Sequence, residues 1–92
     1  MTQSTQPEPG MSAQRPYPSR LKDPALVDFV NLPAATQRCI DEALSEIEMT
    51  PWPVDAQDLS DGFVLSVHRC ELWIVYERNE DEHMLDVWRI LP

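Results

Sequence analysis

A chain of 92 residues with nine prolines, two glycines and a net charge of −9 fits one small domain and no more. The charge is uneven. Residues 1–23 hold Arg15, Arg20 and Lys22 against Glu8 and Asp23, whereas the remainder holds four arginines against fourteen carboxylates. So acidic a body repels phosphate, which argues against direct binding of nucleic acid or an anionic membrane and favours a protein partner with a basic surface.

Residues 1–23 contain Pro7, Pro9, Pro16 and Pro18 among Ser, Thr and Gln, with few large apolar side chains. Such a segment buries too little surface to offset its ordering entropy, so a disordered Pro-rich tail is expected, followed by a single domain over 24–92. The chain has no apolar run of membrane-spanning length and its polar start lacks a signal-type apolar core, so a cytoplasmic protein is expected. Cys39 and Cys70 lack metal-type spacing, and free thiols are the expectation for a reducing compartment.

Pro24 to Val30 reads as an edge strand, with a helical turn as the rival reading. Asn31 and Pro33 look like a helix start. Ile40, Ala43, Leu44 and Ile47 then follow the i, i+3, i+4, i+7 rule, predicting a helix from Ala34 to about Met49 that Thr50-Pro51-Trp52-Pro53 ends. Trp52 is expected to act as a lid on the core. Val54 to Gly62 reads as a polar loop anchored by Leu59.

From Phe63 the pattern changes to alternation. Residues 63–68, 72–77 and 84–90 are rich in β-branched and aromatic side chains and predict a three-stranded meander. With turns at Arg69-Cys70 and at Asn79 to Glu82, one face collects Phe63, Leu65, Val67, Leu72, Ile74, Tyr76, Leu85 and Val87, which the helix stripe would cover. The other face carries Trp73, Val75, Met84 and Trp88, with Trp73 opposite Trp88. Aromatic and Met side chains on a face the long helix does not need are the mark of a protein interface, so these four are the interface candidates. The expected fold is α+β, a three- to four-stranded mainly antiparallel sheet on one long helix.

Metal and nucleophile patterns are weak. His68, Cys70 and His83 have no CxxC or HxxxH spacing, the acidic run Glu77 to Glu82 lacks a calcium-loop glycine, and Glu71 beside Cys70 is the wrong setting for a thiolate. No cofactor or metal is expected.

The stretch Leu59 to Ile90, with a Leu before a turn, a strand, a tight hairpin, a strand ending in Tyr76, an acidic turn and a last strand bearing Arg89, resembles the RelE/ParE-like toxins of bacterial toxin–antitoxin systems. Val27 to Leu44 matches more loosely as a first strand and helix. The resemblance implies a small toxin fold with a cognate antitoxin as partner. Its ribonuclease members rely on basic residues in the sheet. Here Trp73 and Ser66 stand at commonly basic places, and only His68 and Arg89 remain as candidate catalytic residues. RNA cleavage without metal needs a base, an acid and cations for the phosphorane. Two residues fall short of that, so enzymatic activity is left open and the leading expectation is a divergent family member acting by protein binding without ribonuclease activity. The alternatives are a non-toxic acidic interaction or inhibitor module and a degenerate ribosome-dependent mRNA interferase.

Overall fold

The computed structural model describes residues 16–60 and 64–92. Their elements run β1 (Ser19–Leu21), α1 (Asp23–Val30), α2 (Ala34–Met49), β2 (Gln57–Ser60), β3 (Val64–Arg69), β4 (Leu72–Asn79) and β5 (Met84–Leu91). The strands form one five-stranded mixed sheet in the order β1-β5-β4-β3-β2. β1 pairs parallel to β5, and the other neighbours are antiparallel. The fold is α+β as expected, with two helices and five strands in place of one helix and three or four strands.

The meander forms because its alternation is nearly pure. Leu65, Val67, Ile74, Tyr76, Leu85 and Val87 are buried on one face, and Ile40, Ala43, Leu44 and Ile47 of α2 meet them there in a single cluster. That is the stripe the helical spacing predicts. Each hairpin turn lies one residue later than expected, at Cys70-Glu71 and at Glu80 to His83, so Leu65 pairs with Tyr76 and Arg78 with Leu85. Moving a turn by one residue moves each partner by two, and a shift of two keeps every side chain on its face.

A bulge corrects the end of β5. Tyr76 pairs with Val87 but Val75 pairs with Arg89, leaving Trp88 as the extra residue. Beyond it Ile74 faces Ile90, which joins the core, and Trp73 faces Leu91. The expected Trp73–Trp88 pair is therefore absent.

Residues 24–30 are helical, which settles the two readings of that segment. Pro24 sits in the first turn, where its missing N–H costs nothing. Ala25 is fully buried in the core, so packing outweighs the strand preference of Val27, Phe29 and Val30. Asn31 caps the end of α1, donating Nδ2 to the Val27 carbonyl, and is not the start of α2; Pro33 holds that place without a side-chain cap. Gln37 Nε2 donates to the Phe29 carbonyl and ties the two helices together.

β1 lies inside the stretch expected to be disordered, and the expectation fails from Pro16 onward; residues 1–15 fall outside the described residues. Tyr17, Ser19, Arg20 and Lys22 anchor it. Tyr17 N–H donates to the Glu48 carbonyl, and the Ser19 N–H and hydroxyl donate to the Glu48 carboxylate at 2.8 and 2.5 Å. Glu48, ill placed against the helix dipole, thus serves as an acceptor for the first strand. Residues 57–60 form an edge strand where a loop was expected, and Leu59 there is exposed, so it anchors nothing. Trp52 is also exposed, at 46%. It is Pro51 that is buried against the core, while Trp52 packs edge-on to Tyr17 and under the Arg78 guanidinium.

Cys39 and Cys70 form a disulfide between α2 and the β3–β4 turn, which overturns the expectation of free thiols.

Candidate protein-binding surface

Both helices join the core cluster on one face of the sheet, and the opposite face carries Val64, Ser66, His68, Trp73, Val75, Glu77, Met84, Asp86 and Trp88. Trp73, Val75 and Met84 are partly buried and Trp88 is 38% exposed. These four interface candidates thus share the face that the helices leave open. The His68 ring leans on Trp73 at 4.8 Å between centroids. Trp88 Nε1 donates to Glu77 at 3.0 Å, and the Lys22 ammonium lies 5.4 Å over the Trp88 ring. Next to it, Glu77, Arg78, Asn79, Glu80, Asp81 and Asp86 line an open depression of about 340 Å³.

Most of the described arginines are spent on the chain's own carboxylates. Arg20 binds buried Asp86 and also Glu82, Arg69 binds Asp55 at 2.7 Å, Arg78 binds Glu80, and Arg89 binds Asp28 at 2.7 Å. The guanidinium partners hold the carboxyls of Asp28, Asp55 and Asp86 below the usual carboxylate range. Sequence reasoning missed the part played by Arg20 and Lys22. The signal was the charge split itself, since the basic start of the chain folds onto the acidic remainder.

His68 and Arg89 do not meet. His68 pairs with Trp73, and Arg89 pairs with Val75 on the far side of β4. That is two strand spacings, about 9–10 Å, plus two residues along the strands. Arg89 donates through Nε and Nη2 to the Asp28 carboxylate, whose Oδ2 also accepts the Ile90 N–H, so its guanidinium serves the contact between α1 and β5. Among the described residues no group of three His, Cys, Asp or Glu side chains is placed to hold a metal ion. No described helix is long and apolar enough to cross a membrane.

No family model matches the sequence, and no curated protein matches it significantly. Solved structures do match. The toxin–antitoxin complex RelBE2 from Mycobacterium tuberculosis aligns with a TM-score of 0.71 at 18% identity, covering 83% of this chain and 96% of that one. The isolated E. coli RelE toxin aligns with a TM-score of 0.71 at 13% identity, covering 82% of each chain. The archaeal RelE–RelB complex from Pyrococcus horikoshii aligns with a TM-score of 0.66 at 18% identity, covering 83% and 93%.

The chain has a RelE-like fold. Two helices, α1 and α2, follow β1 where the sequence resemblance gives one. The first strand of the RelE-like sheet is Ser19–Leu21, upstream of the Val27 segment matched to it by sequence.

Proposed function

We propose that this chain is a RelE-like toxin-family protein that works in the cytoplasm by binding protein, without ribonuclease activity, and that its partner is a cognate antitoxin with a basic surface. The observation that carries this reading is the pairing of Arg20, Arg69, Arg78 and Arg89 with the chain's own carboxylates. A nuclease must present cations to a phosphorane, whereas these cations are engaged in holding the fold. The carboxylates left over favour a basic partner and oppose direct RNA binding. The solved complexes from M. tuberculosis and P. horikoshii, in which RelE-type chains are joined to RelB-type chains, support an antitoxin as that partner. Trp73, Val75, Met84 and Trp88 are the residues proposed to meet it.

The same surplus of carboxylates favours one second reading, a non-toxic acidic interaction or inhibitor module. A degenerate interferase using His68 and Arg89 has weaker support, given their separation and the engagement of Arg89 with Asp28. Titration calorimetry with a short basic antitoxin-type protein tests the binding reading. Saturable one-to-one binding that weakens with added salt supports it, and absence of binding at low salt overturns it.

A further inference from the structure

We infer that the Cys39–Cys70 disulfide is a redox-responsive site, opened in the native protein by a dithiol reductant, that latches the β3–β4 turn to α2. Three observations carry this. Cys39 is exposed on α2 and Cys70 is half-buried at the turn, and Ala35, Thr36, Cys39, Cys70 and Glu71 line an open depression of about 290 Å³ over the bond. A small reductant can therefore reach the sulfur without unfolding the chain. Both turn residues are left-handed, Cys70 at φ 58° and Glu71 at φ 63°. Two-residue hairpins of this shape favour Asn-Gly because a Cβ at positive φ is costly, and neither Cys nor Glu is suited to it. The disulfide is the covalent tie that keeps this unfavourable turn in place, and exposed or strained disulfides are the class that exchanges readily. The sulfurs join residues 31 apart in sequence, so opening the bond frees the tip from the helix while the hydrogen-bonded ladders of β3, β4 and β5 remain.

The chemistry balances as ordinary thiol–disulfide exchange. A thiolate of the dithiol attacks Cys39 Sγ, the sulfur–sulfur bond breaks, and Cys70 leaves with the electron pair and takes up a proton. The second thiol of the reductant then displaces the Cys39 thiolate, which is protonated in turn. The protein disulfide is reduced by two electrons and the dithiol is oxidised to its own disulfide. His68 and Trp73 face each other two residue pairs before the turn, so release of the tip reaches the open face of the sheet. That consequence rests on the binding surface proposed above; the redox step does not.

The test uses the full chain treated with dilute dithiothreitol under native conditions, with reduction followed by thiol alkylation and mass spectrometry. Hydrogen exchange is then compared between the two forms. Reduction is expected on the order of 100-fold faster than global unfolding. Amide exchange over residues 68–73 is expected to rise by about tenfold or more, with β5 unchanged. A Glu71→Gly variant, which removes one unfavourable left-handed residue, is expected to show a smaller rise on reduction. Reduction that occurs only at the rate of unfolding would overturn the proposal, as would two alkylatable thiols before any reductant is added or a tip whose exchange does not change. The paired Cys39→Ser and Cys70→Ser variant should match the reduced protein in exchange at 68–73, and oxidised-type protection there would equally contradict the latch.

Discussion

The Tyr76 hydroxyl donates to the Pro51 carbonyl at 2.7 Å, joining the centre of β4 to the Pro-Trp-Pro segment that ends α2. Tyr76 is fully buried, and burial pushes its phenol up to about 12. One hydrogen bond therefore ties the middle of the sheet to the helix terminus and satisfies two buried polar atoms at once.

Replacing Tyr76 by Phe leaves the Pro51 carbonyl without that donor, and the expected loss is about 1–2 kcal/mol in urea unfolding with the m-value unchanged. The phenol also sets an alkaline limit. Its folded pKa is raised, so its contribution is complete below an unfolded value of about 10 and is lost as pH rises toward about 12. Stability of the parent chain should fall across that interval, and the Tyr76→Phe chain should lack this part of the decline.

At the acid end the sign reverses. The Arg20 guanidinium, bonded to Asp86, holds that carboxyl below its ordinary value of 3.8, with Asn79 adding a hydrogen bond. A lowered folded pKa contributes stability above the unfolded value and loses it as pH falls through the folded one. The chain should be at full strength above about pH 5 and weaken progressively below about pH 4. Asp86→Asn should cost about 1–2 kcal/mol at neutral pH and flatten the acid limb of a chemical-denaturation series.

Arg89→Ala and His68→Ala separate fold from chemistry. Arg89 bridges α1 and β5 through Asp28, and its loss should lower Tm and raise amide exchange in α1. His68 is exposed, so His68→Ala should leave Tm nearly unchanged. Neither substitution is expected to change RNA integrity in cells expressing the protein, read by primer extension on abundant messages.

Trp73→Ala and Trp88→Ala probe the open face. Each is expected to weaken binding of a basic antitoxin-type partner by tenfold or more, or about 1.4 kcal/mol and above, as truncation of aromatic anchors does. Leu59→Ala, on the exposed edge strand β2, should leave the affinity within about twofold, since scattered exposed side chains contribute little.

The parts of the fold that could be read from the sequence are those written in apolar period. The Ile40, Ala43, Leu44, Ile47 stripe and the inward set of β3, β4 and β5 meet in the core because periods of 3.6 and 2 point side chains independently of turn details. Both turns were misplaced by one residue because their left-handed positions are filled by Cys70, Glu71 and His83, without the glycine that marks such sites. β1 and β2 were missed for a different reason. Ser19-Arg20-Leu21 pairs in parallel with a strand more than sixty residues away, and Gln57 to Ser60 is exposed throughout, so neither segment carries a local signal. α1 was ambiguous because its strand-preferring Val27 and Val30 are exposed, while Ala25 and Phe29 carry its packing on the core. The disulfide joins cysteines 31 residues apart with no motif between them. Of the candidate surface, the shared face of Trp73, Val75, Met84 and Trp88 was legible from alternation, whereas the bulge that displaces Trp88 from Trp73 was not.

The central claim is a RelE-like fold used for protein binding without RNA cleavage, and the most direct test is bulk protein synthesis and message integrity after inducing the chain in bacteria. Intact messages and undiminished early synthesis are expected. Rapid loss of synthesis with cleaved ribosome-associated messages, abolished by His68→Ala or Arg89→Ala, would contradict it.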